Sequence, residues 1–450
     1  MAALRLPVPD SAATLRLKSN VRAQRGRMKT FQAALFSKTL FAVPPRRRNS
    51  LFPRVPLAVP YWNSATYGAV FNSLVSNAII DGAALEALRS LLIHQFGVED
   101  AMLCGSGSLA LETALRACGV RQGGEVVVPT FCCSAVVAPI LALGAVPVLA
   151  DVGSELNLTP ETVAPALTRN TQAIVVPHLF GNPAEIEAIV DLAREKNIRV
   201  IDDAAQAFGA TVDGQWVGSF GDIGILSFGA EKVCFGLGGG ALLSKRRDDL
   251  SDAARLNLMG PRPARTLRVF LSTLFWRRWR SWTLPLHELV SRADSVGPDA
   301  KPNRYRSESM ANLNAAVALS LARSLNENIE ARRVRARAYR ELLGKEQGLE
   351  LIPHRPGSAC LTQVVRVASK RRNEDLAVAV TDALGRAGYE VQGSYVPIHL
   401  LGNFPHCVWD RLPNAERIWT DLIELPCEPN VSLDHVERIA FIVRCVVAER

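Results

Sequence analysis

The amino-acid sequence predicts an α/β fold with a large, mostly parallel central sheet covered by helices. From about residue 60 onward, short β-branched runs recur, at residues 125–131, 145–152, 173–180 and 199–204. None of these runs alternates polar and apolar residues, which is typical of strands buried on both faces. Helical patterns separate the runs, and strands that alternate with helices build parallel sheets.

The segments between the predicted strands are long and periodic enough for helices. They cover residues 108–119, 134–145 and 183–197. A further helix start is predicted at Thr159, because this hydroxyl residue precedes Pro160 and Glu161, both typical of a first helical turn. The long helical pattern with an arginine-rich face at residues 309–343 predicts a hinge helix that leads into a smaller domain.

These patterns divide the chain into three predicted parts. Residues 1–59 form a basic leader that we expect to be disordered, and residues 60–305 form the large domain. The large domain carries a Trp/Arg-rich insertion near residues 260–300. Residues 306–450 are predicted to form the hinge helix and a small C-terminal α+β domain.

The net charge of +9 lies in the leader. Residues 1–59 hold twelve Lys or Arg against one acid, Asp10. The positive charge of this leader is therefore two larger than the net charge of the whole chain. The rest is therefore near neutral, which argues against a nucleic-acid-binding protein. The leader has the composition of an organellar transit peptide, but composition alone is weak evidence for targeting, and a disordered tail, or translation from an internal start such as Met28, fits it better.

The nine cysteines show neither zinc-ligand spacing nor the density of a disulfide scaffold. We therefore expect reduced thiols, a cytoplasmic location and no metal site. The chain contains no apolar run of the length that spans a bilayer.

The residues with the clearest chemistry follow predicted strands. IDDAAQAFGA places Asp203 at the end of an apolar run, and SFGAEKVCFGLGGG places Lys232 before three glycines. CGSGS, at residues 104–108, has glycines that let backbone amides approach an anion at a helix N-terminus. Each segment alone also fits a structural turn. Together they supply a carboxylate, an amine and a phosphate cradle, which pyridoxal phosphate chemistry requires.

At these residues the sequence resembles the sugar aminotransferases of the DegT/DnrJ/EryC1/StrS family, which are fold-type I pyridoxal phosphate enzymes. The resemblance runs from about residue 60 to the C-terminus. Besides the three segments above, it includes SGSLAL (106–111), VVVPTF (126–131), GAVPVLADV (144–152), VVPHLFGNPAEIEAI (175–189), YVPIHL (395–400) and ELPCEPNVSLDHVERI (424–439). It implies that residues 60–305 form a cofactor-binding domain.

The resemblance also implies a role for each site residue. Lys232 would bind the aldehyde of pyridoxal 5'-phosphate and carry protons, Asp203 would pair with the ring nitrogen, and Gln206 would lie beside the ring oxygen. The implied phosphate contacts are Gly107, Ser108 and Ser227. A lysine at position 232 favours amino transfer, since relatives that dehydrate sugars carry a histidine there.

Three positions depart from the family pattern. Cys133 stands where an aromatic side chain commonly covers the cofactor ring, and Gly238 stands where an acid is usual. Ser307 begins the segment through which a neighbouring subunit commonly reaches the phosphate. These departures concern cofactor binding and the contact between subunits rather than the type of reaction.

Other residues have two interpretations each. Tyr395 and His399 are candidate substrate contacts, and His178 lies in another shared motif, but a lone histidine also fits a structural role. Residues 265–284 combine three tryptophans with arginines. This composition is typical of peripheral membrane contact, and also of a helix that packs on a partner subunit or across the mouth of the site.

The sequence therefore predicts a homodimeric aminotransferase. It would move nitrogen from an amino acid such as glutamate to a keto-sugar, expected to be nucleotide-linked, for polysaccharide or amino-sugar biosynthesis. Two alternatives remain open. One is a pyridoxal phosphate enzyme acting on a non-sugar carbonyl, such as a cyclitol or an aminobenzoate precursor, and the other is a non-catalytic, membrane-associated interaction or regulatory protein.

Overall fold

The structure is a computed structural model that describes residue 55 and residues 58–253, 258–278, 305–368, 376–402 and 404–449. Nearly all of the predicted leader lies outside these residues. So do Trp279, Arg280 and Trp282 of the Trp/Arg-rich segment.

A seven-stranded sheet forms the centre of the large domain. Its strands, in spatial order, are β1 (Asp100–Cys104), β9 (Gly240–Ser244), β8 (Ile223–Ser227), β5 (Arg199–Asp203), β4 (Thr171–Pro177), β2 (Glu125–Pro129) and β3 (Val146–Ala150). Only β9 is antiparallel to its neighbours. A separate hairpin consists of β6 (Thr211–Val212) and β7 (Gln215–Trp216). The prediction of a mostly parallel sheet is confirmed.

Helices cover both faces of this sheet, which is why the central residues of its strands are largely apolar. In β2, for example, Val126, Val127 and Val128 are completely buried. The helices of the large domain are α1 (Ser64–Val75), α2 (Ala83–Phe96), α3 (Gly107–Ala117), α4 (Val137–Ala142), α5 (Pro160–Val163), α6 (Ile186–Glu195), α7 (Arg247–Ala253) and α8 (Pro263–Ser272). The helix start predicted at Thr159 is confirmed, because its side chain accepts a hydrogen bond from the Thr162 N–H and caps α5.

The predicted hinge helix is two helices rather than one. The structure divides residues 309–343 into α9 (Asn312–Arg323) and α10 (Leu325–Leu343). Ser324 separates them with φ −101° and ψ 17°, and its hydroxyl donates to the Ser320 carbonyl at 3.3 Å. A serine that bonds to its own backbone competes with the helical hydrogen-bond pattern, which explains the break.

The small domain has an antiparallel sheet of four strands. In spatial order they are β10 (Leu349–Leu351), β11 (Thr362–Val367), β13 (Leu422–Pro426) and β12 (Gln392–Gly393). Its helices are α11 (Leu376–Arg386), α12 (Pro413–Ile418) and α13 (Leu433–Ala448). Val55 pairs with this domain, since its N–H donates to the Gly388 carbonyl at 3.2 Å. Packing thus begins within the last residues of the predicted leader.

Within the part of the chain that the structure describes, no helix has the length and apolar character needed to cross a membrane. All nine cysteines lie in that part, and none of them forms a disulfide bond.

Candidate active site

The carboxyl ends of β1, β5 and β8 open into one cavity of about 1070 Å³. β5 and β8 are neighbours in the sheet, and β9 lies between β8 and β1. Residues that are distant in the chain therefore converge at this cavity. Seven of the predicted site residues line the cavity, namely Gly107, Ser108, Asp203, Gln206, Ser227, Lys232 and Tyr395. His399 does not line it.

Asp203 ends β5 and is 4% exposed. One carboxylate oxygen, Oδ1, accepts a hydrogen bond from the Ala205 N–H at 3.0 Å. Burial raises the pKa of Asp203, and the Ala205 hydrogen bond and the positive charge of Lys232 oppose that shift. A protonated ring nitrogen would favour the ionised carboxylate further, so Asp203 fits a pyridinium partner.

Gln206 connects the two domains at the cavity wall. Its Oε1 accepts a hydrogen bond from the Phe180 N–H, and its Nε2 donates to the Tyr395 hydroxyl, both at 3.1 Å. The Tyr395 ring stacks on Phe180 with centroids 5.8 Å apart and meets Phe131 edge-on. Since an amide nitrogen has two hydrogens, Gln206 keeps one donor for a ligand.

The first turn of α3 contains the residues of the predicted phosphate cradle. Ser106 caps this helix, with its Oγ accepting from the Leu109 N–H at 3.2 Å. The amides of Gly107 and Ser108 then begin the helix, where backbone N–H groups lack intrahelical acceptors and favour anions. A Cβ at position 107 would lie 2.9 Å from Ser227 Oγ, so the close approach of these two residues requires glycine.

Lys232 lies in the connection from β8 to β9, where the backbone is unusual. Glu231, directly before it, has φ +64°, the left-handed region that non-glycine residues rarely adopt. Such strain is typical of functional sites. Gly238 has φ +94°, which explains why a glycine rather than an acid suits this position.

The position predicted for an aromatic ring holds a thiol. Cys133 follows β2, is half-buried and lines the cavity. Phe131 is completely buried behind the wall. The aromatic surface of the cavity is therefore supplied by Phe180 and Tyr395.

The segment that begins at Ser307 packs against its own subunit. The Gly105 N–H donates to the Glu308 carbonyl at 2.8 Å, and the Met259 N–H donates to the Ser307 carbonyl at 2.8 Å. This segment thus supports the loop that leads into the phosphate cradle.

The two histidines of the shared motifs hold loops in place. His178 Nδ1 accepts from the Ala184 N–H at 2.9 Å, so its Nε2 carries the hydrogen that it donates to Asp202 at 2.6 Å. His399 Nδ1 lies 2.7 Å from the Thr130 hydroxyl, and burial lowers the pKa of His399 to about 4. The structural interpretation of both histidines agrees with these contacts.

Sequence reasoning missed four residues at this site. Ser106 caps α3, although a serine three residues before Leu109 was a readable signal. The other three are Glu231, Glu424 and Glu428, which also line the cavity. Their sequence segments gave no indication of this. Among the described residues, no group of three or more His, Cys, Asp or Glu side chains is placed to hold a metal ion.

Residues 62–444 match the model of the DegT/DnrJ/EryC1/StrS aminotransferase family. The chain belongs to this family. It is accordingly a transferase that depends on pyridoxal phosphate, and the resemblance read from the sequence is confirmed.

Characterised relatives align over much of the chain. It is 31% identical to the UDP-N-acetyl-3-dehydro-α-D-glucosamine 3-aminotransferase of Acidithiobacillus ferrooxidans, over 81% of this chain and 88% of that protein. It is 32% identical to the L-glutamine:2-deoxy-scyllo-inosose aminotransferase of Streptoalloteichus tenebrarius, over 67% of each. The crystal structure of the aminotransferase TlmJ from Streptoalloteichus hindustanus superposes with a TM-score of 0.68 and 25% identity, covering 88% of this chain and 99% of that one. The predicted fold type is confirmed.

Proposed function

We propose that this aminotransferase moves an amino group from an amino acid, such as glutamate, to a keto-sugar that is linked to a nucleotide. Its product would enter polysaccharide or amino-sugar biosynthesis. The observation that carries the proposal is the shared cavity, in which Lys232, Asp203 and the cradle at Gly107 line one space. The sugar-nucleotide acceptor is supported by the named activity of the Acidithiobacillus relative.

The residues present fit pyridoxal 5'-phosphate. The glycine at position 107 leaves room that a Cβ would fill, beside two amides and the Ser227 hydroxyl, which suits a phosphate. Asp203 would hold the ring nitrogen and Gln206 the ring oxygen. When bound, the cofactor supplies an aldehyde that condenses with amines and a ring that withdraws electrons.

The side chains of this chain supply binding and proton transfer. Lys232 Nζ is the group that would carry a proton between substrate and cofactor, as general base and then general acid. Asp203 is the carboxylate that would hold the proton on the ring nitrogen. Tyr395 and the Phe180 ring form an apolar surface that excludes water from one side of the cavity.

A cyclitol ketone is the second candidate acceptor. The Streptoalloteichus tenebrarius relative, named for a scyllo-inosose, favours it. A cyclic polyhydroxy ketone without a nucleotide presents the same reacting group, so a panel of both acceptors separates the two candidates.

The assembly and location of the protein belong to the same proposal. We propose a homodimer, which is supported by the exposed apolar side chains Phe71 and Val75 on α1. Peripheral membrane contact through residues 265–284 is supported by the exposed Leu271 and Phe275. The absence of disulfides among the nine cysteines supports a reducing, cytoplasmic location.

The visible absorbance of the cofactor-loaded protein tests the activity. Glutamate should bleach the band of the lysine-bound cofactor, and the correct keto-sugar nucleotide should restore it. Lys232→Ala should show no such band, whereas Lys245→Ala, at an exposed lysine, should behave as wild type. A reconstituted wild-type protein whose absorbance does not respond to any amino acid would refute the proposal.

A further inference from the structure

Three glutamates, Glu231, Glu424 and Glu428, line one part of the cavity, and we call them the acidic wall. Glu424 lies on β13 and Glu428 in the loop that follows it, so both belong to the small domain. Glu231 belongs to the large domain and directly precedes Lys232. The acidic wall is therefore assembled from both domains, close to the reactive amine.

The two glutamates of the small domain are buried and repel each other. Glu424 is 7% exposed and Glu428 is 9% exposed. Burial raises the pKa of Glu424 to about 7, and the charges of Glu231 and Glu428 add to this effect. Burial also raises the pKa of Glu428, although Arg332 opposes the shift. When both are ionised, the wall thus places like charges next to each other inside the cavity.

One oxygen of the wall lacks a hydrogen-bond donor. Glu428 Oε2 is buried and has no hydrogen-bond partner among the described residues. Its loop is nevertheless held firmly, because the Arg335 guanidinium donates to the carbonyls of Pro429 and Val431, both at 2.6 Å. A buried acceptor without a donor is costly. Because the residue that carries this oxygen lines the cavity, a ligand that donates a hydrogen bond to it would remove that cost.

The charge of the wall selects the kind of donor. A neutral hydroxyl would give one oxygen a hydrogen bond but would leave the repulsion between the carboxylates in place. A carboxylate or phosphate would increase that repulsion. An ammonium group has three N–H donors and a positive charge, so it satisfies the oxygens and reduces the repulsion together.

We propose that the acidic wall binds an ammonium group of the substrate, beside the carbon that reacts at Lys232. This inference rests on the proposed function and makes its substrate class more specific. The ammonium group has two possible sources, an acceptor ring that already bears an amino group, or a diamino acid as the amino donor.

Matched ligands test the acceptor source. D-Glucosamine and D-glucose, which differ by an amino and a hydroxyl group, are titrated into the cofactor-loaded protein by calorimetry. Because a hydrogen bond to a charged group contributes about 1.5–3 kcal/mol, glucosamine should bind at least about tenfold more tightly. Glu424→Gln and Glu428→Gln keep the side-chain shape and should abolish this preference, whereas Glu437→Gln, at an exposed residue of α13, should retain it.

A second pair tests the donor source. L-Lysine and L-norleucine have chains of similar length, and the rate at which each bleaches the visible absorbance is compared in the same variants. A preference for lysine that both Gln variants lose would assign the ammonium group to the donor. If neither pair shows a preference, or if the preference survives in both Gln variants, the proposal is overturned. Bleaching by glutamate is measured separately, so a failure of amino transfer itself is distinguished from a failure of the ammonium site.

Discussion

Replacing Gly107 by alanine should weaken cofactor binding without unfolding the protein. The added Cβ would lie 2.9 Å from Ser227 Cβ and Oγ, whereas ordinary contacts begin at 3.4 Å, so one of the two residues must move by about 0.5 Å. Such a shift lengthens the hydrogen bonds to a phosphate, and the loss of one charged hydrogen bond costs about 1.5–3 kcal/mol. The dissociation constant for pyridoxal phosphate should therefore rise about ten- to a hundredfold.

The assay is a titration of the cofactor-free protein with pyridoxal phosphate, followed by visible absorbance, together with its thermal unfolding. Alanine is the better helix former by about 1 kcal/mol, so helix propensity does not destabilise the variant. Gly68→Ala is the matched control, since Gly68 lies in α1 and a Cβ there would meet nothing within 4 Å. Wild-type affinity in Gly107→Ala, or an equal loss in both variants, would refute the cradle assigned to α3.

Three further positions of the cavity and one behind it give measurable outcomes. Asp203→Asn should bind the cofactor but slow its conversion by glutamate at least about a hundredfold in single-turnover absorbance, because the electrostatic support of the ring nitrogen is lost. Cys133→Phe should tighten cofactor binding about two- to tenfold in the same titration, since an aromatic ring would stack on the cofactor; unchanged affinity would contradict this. His178→Ala should destabilise the cofactor-free protein by about 1–3 kcal/mol in urea unfolding, because it leaves Oδ1 of the buried Asp202 carboxylate without its donor, while Oδ2 keeps the hydrogen bond from the Phe220 N–H. Burial raises the pKa of Glu424 to about 7, above the ordinary value of 4.5, so its contribution to stability is present below pH 4.5 and is lost as the pH rises through 7. The thermal midpoint of Glu424→Gln should accordingly fall less between pH 5 and pH 8 than that of the wild type.

The sequence predicted the mostly parallel central sheet well because its strands are buried on both faces. Such strands have continuous apolar runs, and residues at the carboxyl ends of parallel strands, such as Asp203, lie at the same end of the sheet. The position of Lys232 in the same cavity followed from the same reasoning, and its assigned role stays a prediction.

Features that depend on packing between distant segments could not be read in this way. The acidic wall exists only because β13 of the small domain faces the connection before Lys232. The Ser324 hydroxyl breaks a helical pattern whose periodicity continues across it. His399 shares a motif with Tyr395, but its bond to the Thr130 hydroxyl turns it away from the cavity. Local sequence does not specify which of two neighbouring side chains faces a ligand.

The order of strands in the large sheet separates two tasks. One half of the sheet consists of β1, β9, β8 and β5. Gly107 follows β1, Asp203 ends β5, and Lys232 lies in the connection from β8 to β9. Cys133 and Phe180 follow β2 and β4, in the other half. Of these two loops, the one at Phe180 lies beside the candidate substrate contact Tyr395 rather than at the position of the cofactor ring. Mutations in that loop are therefore the natural place to direct laboratory evolution toward new acceptors.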